Sequence, residues 1–472
     1  MLLGGKGVAR PLLTLVGCTV LRGSKTVLRE IDLEIFPGEV VCFVGHNGSG
    51  KSTLLETLAG LHPPRHGEVK ALSTNGSEVI VSDSEGRRAP LPGLTIALQS
   101  DGACLDEAVI MRLKLASTVA GVDLSDQDIS KMMAEWSLLH RSNDRLATLS
   151  NGLRRRVSVL SALVPALKSE SQMIVMLDEP SEGMDKASKE LLRSSIEELR
   201  SQGHTVIIAT HDQDLSCMAD RSVEIENQTI SVIGEHSARS HGAKDTPINS
   251  GDKVMEFCRW AASLERKNPI DTIKRLIPSM IAILLIGSIG SGIVSSDGLF
   301  STSFYLLLPA FITTMVQPAI IDRLSEGRSG DWWRAHMGRS IRPAASIVGS
   351  SWLLPLPLTY LAYTIISTDS IDLHPEAKFW IWLPALAIID ISVASTGIQL
   401  LVSGLKRRGA AVASLMMVIL VWPFLILVDA TTLILQDGMT MEFGLETPLG
   451  LIIASSAISA GIWASAVLIP SD

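Results

Sequence analysis

The sequence predicts an α/β domain followed by an all-α domain of six transmembrane helices. Residues 12 to about 232 mix short apolar strands with helical stretches and turn residues, as α/β domains do. A glycine-rich loop in this part lies between a predicted strand and a predicted helix. The second half contains six long apolar segments, which explain a mean hydropathy of +0.31, a high value for a soluble protein.

Composition excludes several other classes. The net charge of −8 argues against a general nucleic-acid binder, which would carry a basic patch or stripe. The five cysteines lack CxxC or metal-ligand spacing, which indicates reduced thiols in a cytosolic compartment. The N-terminus does not have the pattern of a cleaved secretion signal. Membrane insertion is therefore expected from internal segments.

The chain divides by composition into five parts. Residues 1–11 form an N-terminal extension, and residues 12–233 form the α/β domain. Residues 234–253 are rich in Gly, Ser, His and charge and predict a linker. Residues 254–275 repeat apolar side chains at helical spacing, which predicts either an amphipathic helix along the inner membrane surface or an ordinary solvated helix. Residues 276–470 form the six-span domain.

Six apolar segments are long enough to cross about 30 Å of hydrocarbon. They are residues 276–295, 301–322, 343–366, 379–403, 410–431 and 449–468. With the α/β domain inside, the inner loops carry Arg323, Arg328, Arg334, Arg339, Arg342, Lys406, Arg407 and Arg408, and the outer loops carry Lys378. This bias fits the positive-inside rule and predicts that both termini are cytoplasmic.

The glycine-rich loop fits the phosphate-binding motif GxxxxGK[ST]. It follows the apolar stretch 40–44 and precedes a helical run, the context that the motif requires. Its backbone N–H groups are expected to surround the phosphates of ATP, with the charge of Lys51 on the β- and γ-phosphates and the Ser52 hydroxyl on Mg²⁺. The predicted nucleotide-contacting residues of the loop are Gly45, His46, Asn47, Gly48, Ser49, Gly50, Lys51, Ser52 and Thr53.

An acidic pair follows the buried-strand run 173–177. Asp178 is expected to hold Mg²⁺, and Glu179 to polarise the water that attacks the γ-phosphate. An acidic pair after a strand is a weak signal alone. Together with the upstream phosphate-binding loop, it predicts an ATPase.

Four further stretches stand in the order found in ABC ATPases. Leu149-Ser-Asn-Gly-Leu153 resembles the LSGGQ signature, although Asn151 and Leu153 replace Gly and Gln. Gln99 matches the Q-loop glutamine, Ser181–Asp185 the D-loop and His211 the switch histidine. The resemblance implies a RecA-like core with a helical subdomain, catalytic roles for Lys51, Gln99, Glu179 and His211, and Mg²⁺ ligation by Ser52, Gln99 and Asp178.

The same resemblance implies two copies of the chain. In ABC proteins the signature Ser150 and Gly152 contact the nucleotide held by the partner's phosphate-binding loop, so a homodimer or a complex with two copies is predicted. One departure concerns the base. No aromatic residue stands near Leu21–Gly23, where many ABC domains stack adenine. Arg22 is either a substitute for that aromatic residue or a surface arginine.

A narrower resemblance is to the cytochrome c maturation system. Leu149–Val157, Leu177–Pro180 and Thr210–Leu215 resemble its short ATPase (CcmA), and Leu400–Gly409 with the apolar run into Val421–Leu427 resembles its membrane partner (CcmB). The resemblance implies a fusion of two usually separate chains in the bacterial inner membrane. It also implies haem export or release of a haem-loaded chaperone, with haem-handling membrane partners.

Two other functions remain open from the sequence. An ABC-2-like exporter of a lipid, glycan or drug would share every ATPase motif. A scaffold with a vestigial ATPase is disfavoured because Lys51, Asp178, Glu179 and His211 are all present. A soluble regulator is excluded by the six predicted spans.

Three features of the second half are candidates for function. Loop 323–342, with Trp332 and Trp333, either docks on the ATPase domain near Gln99 and transmits its closure, or lies at the membrane interface. Asp390 in the fourth span is expected to face the bundle interior or to be protonated, with either a functional role or a helix–helix hydrogen bond. His374, on the predicted outer side, is either a haem ligand or a solvated histidine.

Overall fold

The computed structural model describes residues 10–73, 76–234, 252–293, 299–316, 320–351, 353–366, 379–403, 410–438, 442–444 and 446–468. They form two compact units that interleave along the chain. The first unit comprises Met1–Trp260 and Arg323–Ile341, and the second comprises Ala261–Asp322 and Arg342–Asp472. The loop predicted to dock on the ATPase domain thus groups with that domain.

Two sheets form the first unit. A four-stranded antiparallel sheet has the order β2-β1-β4-β5, and a six-stranded sheet has the order β10-β9-β3-β8-β7-β6. In the second sheet β6, β7, β8, β3 and β9 are parallel, and β10 pairs antiparallel with β9. The strands are β1 (Leu13–Arg22), β2 (Lys25–Ile35), β3 (Val40–Val44), β4 (His66–Leu72), β5 (Glu78–Asp83), β6 (Leu94–Ala97), β7 (Ile174–Asp178), β8 (Thr205–Ala209), β9 (Arg221–Glu226) and β10 (Thr229–Ile233).

The described helices follow in chain order. They are α1 (Lys51–Leu58), α2 (Val109–Val119), α3 (Asp126–Glu135), α4 (Asn151–Leu167), α5 (Lys186–Ser201), α6 (Gln213–Ser216), α7 (Lys253–Lys267), α8 (Pro269–Ile293), α9 (Leu299–Thr313), α10 (Ile320–Ser325), α11 (Ser329–Met337), α12 (Ile341–Gly349), α13 (Pro355–Ile366), α14 (Phe379–Ser403), α15 (Ala410–Asp437) and α16 (Pro448–Leu468).

The parallel sheet positions the candidate site. Every residue of β7 and β8 is buried, as is most of β3, which explains why their sequences are continuous apolar runs rather than alternating ones. Parallel strands bring their carboxyl ends to one edge of the sheet, where ligands of α/β proteins bind. In this sheet Val44 ends β3 and Asp178 ends β7. The phosphate-binding loop and the acidic pair therefore meet.

Helices α2, α3 and α4 share one apolar core with the parallel sheet. Ser150 begins α4, and its side-chain oxygen accepts a hydrogen bond from the N–H of Leu153 at 3.4 Å. Such a cap satisfies one of the free N–H groups of the first turn and contributes about 1 kcal/mol to helix stability. The expected α/β core with a helical part is thereby observed.

The helix predicted over 254–275 is divided in the structure. Helix α7 ends at Lys267, and α8 begins at Pro269, because proline has no N–H to continue a helix and suits the first position of a new one. The apolar face of α7 is also covered by protein, with Phe257 fully buried and Trp260 nearly so. This part of the face therefore does not lie on a membrane surface. Most of the predicted linker, residues 235–251, lies outside the described residues.

Three of the six predicted spans are present as long apolar helices. Among the described residues, Trp382–Leu401, Ile419–Asp437 and Pro448–Leu468 are long and apolar enough to cross a membrane. Helix α8 covers most of the first predicted span, and α9 ends at Thr313 within the second. The predicted span 343–366 is interrupted between α12 and α13, where Pro355 and Pro357 follow the break. The six-span arrangement stays a prediction.

The second unit packs α14, α15 and α16 against one another, with α9 against α14 and α15. Asp390 of α14 is buried and accepts hydrogen bonds from Ser455 and Ser456 of α16, both at 3.0 Å. The predicted inward orientation of Asp390 is confirmed, and the contact is a helix–helix hydrogen bond. His374, Lys406, Arg407 and Arg408 lie outside the described residues.

Candidate functional site

The phosphate-binding loop is shaped by three glycines with positive φ. Gly45, Gly48 and Gly50 have φ of 147°, 82° and 117°. A Cβ on Gly45 would lie 2.7 Å from the carbonyl oxygen of Ile225, so no other residue fits there without displacement. The Nζ of Lys51 donates to the carbonyl oxygens of Gly45 at 2.9 Å and His46 at 3.2 Å. These bonds hold the lysine beside its own loop.

Ser52 and Asp178 are brought together across the sheet edge. The Ser52 hydroxyl donates to Oδ1 of Asp178 at 2.9 Å. Behind them the buried guanidinium of Arg155, in α4, donates to the carbonyl oxygens of Leu98 and Asp178 and to that of Gln99 at 3.4 Å. Arg155 therefore joins the helix after the signature to the acidic strand and to the Q-loop.

Glu179 stands beside His211. Oε2 of Glu179 lies 2.9 Å from Nδ1 of His211 and 3.3 Å from its backbone N–H, and Oε1 lies 3.7 Å from Nζ of Lys51. With Glu179 ionised, the first contact requires the proton on Nδ1. Glu179 also has φ of 48°, a backbone conformation that non-glycine residues rarely adopt and that concentrates at functional sites.

Lys51, Ser52, Glu179 and His211 line one cavity of about 540 Å³, within the size range of ligand pockets. It is lined by Arg22, Val27, Asn47, Gly48, Gly50, Lys51, Ser52, Thr53, Gln99, Glu179, Glu182 and His211. Most of the predicted site residues are thus assembled in one place. Among the described lining residues, Ser150 and Gly152 do not occur.

The signature lies against the D-loop instead. A Cβ on Gly152 would approach the carbonyl oxygen of Gly183 to 2.7 Å, so the glycine allows this backbone contact. Ser181 of the same D-loop donates to Asp212, the residue after His211, at 2.9 Å. The first turn of α4, the D-loop and the switch histidine are thereby connected through short contacts.

The residues predicted to hold Mg²⁺ fit a hard cation. Oδ2 of Asp178 is buried and has no hydrogen-bond partner within the described part of the chain, while Oδ1 holds the Ser52 hydroxyl. Gln99 supplies an amide oxygen at the same cavity. Carboxylate, hydroxyl and amide oxygens, completed by phosphate oxygens and water, are the ligands that Mg²⁺ prefers.

Burial raises the pKa of Asp178 to about 6. The charges of Glu56 and Glu179 add to this rise, whereas the Ser52 hydrogen bond and the Arg155 charge oppose it. Because the folded-state pKa is raised, the stabilising effect of the proton is present below about pH 4 and is lost as the pH rises through 6. Above pH 6, without Mg²⁺, the buried carboxylate charge destabilises the fold.

The Asp178→Asn variant is therefore expected to be more stable than the parent at pH 8 in the absence of Mg²⁺ and nucleotide. Two pKa units correspond to about 2–3 kcal/mol, and the difference should shrink towards pH 5. Hydrogen–deuterium exchange of the β7 amides in the detergent-solubilised chain measures it at both pH values. Equal exchange of the two proteins at pH 8 would contradict the assignment of a charged, buried Asp178.

Residues 323–341, named here the docked segment, pack on the ATPase part of the first unit. The N–H of Gly102 donates to the carbonyl oxygen of Gly327 at 2.8 Å. Cys104 Sγ lies 3.3 Å from Oε2 of Glu326, and Arg339 donates to the carbonyl oxygen of Gly86. Gly102 follows Gln99 by three residues, so the predicted docking near Gln99 is confirmed.

Four aromatic side chains, Phe257, Trp260, Trp332 and Trp333, form the aromatic cluster of the docked segment and α7. Trp333 is fully buried, with its ring centroid 5.1 Å from Phe257, 5.3 Å from Trp260 and 5.2 Å from Trp332. Such tilted and edge-on pairs stabilise beyond their buried area. The alternative of a membrane-interface tryptophan pair is therefore wrong for Trp332 and Trp333.

A buried ion pair of the ATPase part supports this cluster. The Cζ atom of Arg112 lies 4.0 Å from the ring centroid of Trp332, and Nη1 of Arg112 lies 3.8 Å from Oε2 of Glu107. Oε1 of Glu107 accepts from Nε1 of Trp260 at 3.2 Å. Burial raises the pKa of Glu107, and Arg112, the Cys104 N–H and Trp260 oppose that rise. The buried carboxylate of Glu107 thus contacts both the guanidinium of Arg112 and the indole of Trp260.

Sequence reasoning did not find three of these residues. Arg155 stands in the triplet Arg154-Arg155-Arg156, and nothing in the sequence says which of the three is buried. Glu56 appeared only as a charge inside the apolar helical run after the phosphate-binding loop. Arg328 was counted as an inner-loop charge, and its pairing with Glu56 joins positions far apart in sequence.

The sheet order, the phosphate-binding loop before α1 and the acidic pair at the carboxyl end of β7 define a P-loop nucleotide hydrolase. Residues 28–182 match the family model of the ABC transporter ATP-binding domain. The first unit therefore contains an ABC-type ATPase domain.

Curated relatives include exporters and general ABC ATPases. The macrolide export ATP-binding/permease protein MacB of Hahella chejuensis is 27% identical over 285 residues, 56% of this chain and 42% of that protein. MacB of Azoarcus is 31% identical over 60% of this chain and 44% of that protein. An uncharacterized ABC transporter ATP-binding protein of Methanocaldococcus jannaschii is 28% identical over 59% of this chain and 91% of its own length. The chain spans less than half the length of the MacB relatives.

Solved structures include a dimeric, post-hydrolysis form of the ATP-binding cassette MJ0796 bound to ADP and Pi. It aligns with a TM-score of 0.39 and 20% identity over 47% of this chain and 98% of that chain.

Proposed function

We propose that this chain is one half of an ATP-hydrolysing membrane transporter, in which the ATPase domain drives the helical domain of the same polypeptide. The observation that carries the proposal is the docked segment. Its two ends continue into α10 and α12, yet the segment itself groups with the ATPase domain. A conformational change in the ATPase domain that moves residues 323–341 therefore also moves α10 and α12, because these helices are covalently continuous with the segment.

The cavity supports hydrolysis by named side chains. In this proposal Lys51 contacts the β- and γ-phosphates, and Glu179 takes the proton of the water that attacks the γ-phosphorus as the bond to ADP breaks. His211 holds Glu179 by the 2.9 Å contact at Nδ1. Mg²⁺, when bound at Ser52, Gln99 and Asp178, supplies charge that offsets the phosphate oxygens.

The position of the signature supports a pair of copies of the chain as the functional unit. Ser150 and Gly152 are not among the described residues that line the cavity of their own chain, which supports the proposal that they contact nucleotide held by a second copy. A symmetric pair then forms two equivalent sites. The phosphate-binding loop of one copy and the signature of the other complete each site.

A mixing experiment tests this arrangement. Lys51→Ala and Ser150→Ala proteins are each expected to be inactive, because both sites of each homodimer carry one defect. A mixed dimer combines both defects in one site and leaves the other intact, so activity should recover to about half of the parent value per mixed dimer. Phosphate release after co-expression with two affinity tags measures it. No recovery in the doubly tagged dimer would reject sites shared between copies.

The cargo is a separate question with two candidates. The MacB relatives, which are named for macrolide export, support export of a drug. The resemblance to the cytochrome c maturation system instead supports a role in haem handling at the bacterial inner membrane, with the ATPase domain cytoplasmic. A Glu179→Gln strain separates them. Loss of c-type cytochromes with normal drug resistance supports haem handling. Retained cytochromes with greater drug sensitivity support export, and no change in either would oppose both.

A further inference from the structure

Glu56 is a buried carboxylate held by two arginines from distant parts of the chain. Glu56 is 2% exposed and lies in α1, directly after the phosphate-binding loop. Oε2 pairs with Arg22, which lines the nucleotide cavity. Oε1 accepts from Nη1 of Arg328, in the docked segment, at 2.6 Å. Each oxygen of one carboxylate therefore holds a different cation.

The backbone at Arg328 adopts a conformation that requires support. Arg328 has φ of 60°, in the left-handed region that is sparsely populated by non-glycine residues. The preceding Gly327 has φ of 50°, and a Cβ there would meet the carbonyl oxygen of Ala103 at 2.5 Å. Such conformations persist only where surrounding contacts hold them. At this position the contacts include the Gly102–Gly327 hydrogen bond, the pair with Glu56, and the pair between Nε of Arg328 and Oδ2 of Asp331 at 2.5 Å.

Glu56 is also near the predicted catalytic residues. It follows Ser52 by four residues on the same helix, so the two side chains lie on one face. Ser52 contacts Asp178, whose pKa is raised first by burial and also by the charge of Glu56. The carboxylate therefore adjoins the Mg²⁺ ligands, the cavity lining and the docked segment.

We propose that Glu56 is a positioning residue that links nucleotide occupancy of the cavity to the seating of the docked segment, through Arg22 on one side and Arg328 on the other. This inference rests on the proposed function. A nucleotide that attracts the Arg22 cation weakens the Glu56–Arg22 ion pair, and this changes the strength of the Glu56–Arg328 ion pair. Linkage between two sites is reciprocal, so the Glu56–Arg328 ion pair must change ATP affinity by the same factor.

The test is ATP affinity of the full-length protein in a Glu179→Gln background, measured with a fluorescent ATP analogue. Arg328→Ala is expected to weaken binding about fivefold, in the range of typical coupling between sites. Arg334→Ala is the matched control, because Arg334 also pairs with Asp331, at 3.1 Å. Both side chains reach solvent, at 37% and 31% exposure, so both variants should fold. The control should change affinity less than twofold, within about 0.4 kcal/mol.

A double-mutant cycle then isolates the link. Arg22→Ala and Arg328→Ala should be non-additive, and Arg328→Ala should have much less effect once Glu56→Ala has removed the carboxylate. Arg328→Lys should restore part of the loss. Additive effects, or an Arg328→Ala protein that binds like its control, would overturn the inference and leave the proposed function intact. A parent chain that binds no ATP would instead remove the proposed function.

Discussion

Replacing Glu179 with glutamine is expected to lower ATP turnover by at least about 100-fold, the low end of what a positioned general base contributes. Glutamine has the same shape and keeps an oxygen that can accept from Nδ1 of His211, so the cavity should retain its geometry. It cannot take a proton from the attacking water. The loss should therefore fall on kcat while ATP binding remains.

The measurement is phosphate release by the purified, membrane-reconstituted chain, with ATP binding recorded on the same preparation. Trapped ATP should also favour a stable two-copy form, visible as a larger particle by size analysis. Glu190→Gln is the control, since the same substitution on an exposed side chain of α5 should leave turnover unchanged. Turnover of the Glu179→Gln protein within a few-fold of the parent value would show that another group activates the water.

The ATPase motifs could be predicted from sequence because their geometry is local. The glycines at 45, 48 and 50 need positive φ, and the apolar runs that became β3 and β7 are continuous because both faces of those strands are buried. Local spacing thus carries the structural requirement. For the same reason most of the predicted residues line one cavity.

The contacts between distant segments could not be predicted in this way. Periodicity predicts the apolar face of α7 but not what covers it, and Phe257 and Trp260 of that face pack against Trp333 rather than lipid. Arg328 and Arg339 fitted the positive-inside count, yet they pair with Glu56 and Gly86 of the ATPase part. A positive charge in such a loop is explained either by the positive-inside rule or by a contact with the ATPase part, and only the structure distinguishes the two.

Changing both Trp332 and Trp333 to alanine is expected to release the docked segment and abolish biological output while ATP turnover continues. Both indoles are buried, and each such truncation costs about 3–5 kcal/mol of packing. Neither residue lines the cavity among the described residues, so turnover at saturating ATP should stay within about threefold, while ATP affinity should fall as in Arg328→Ala. Trp422→Ala is the matched control, because that indole is 65% exposed.

Docking itself can be measured separately from output. Glu85→Cys and Arg339→Cys substitutions place two exposed thiols beside the Arg339–Gly86 contact, and Cys217 and Cys258 are changed to serine to remove competing thiols. A bismaleimide should then cross-link the docked segment to the ATPase part in the parent and in the Trp422→Ala control, and much less in the double tryptophan variant. Full cross-linking together with normal output in that variant would mean that the aromatic cluster does not hold the segment. Lost output with full cross-linking would place coupling after docking, in the helices on either side of the segment.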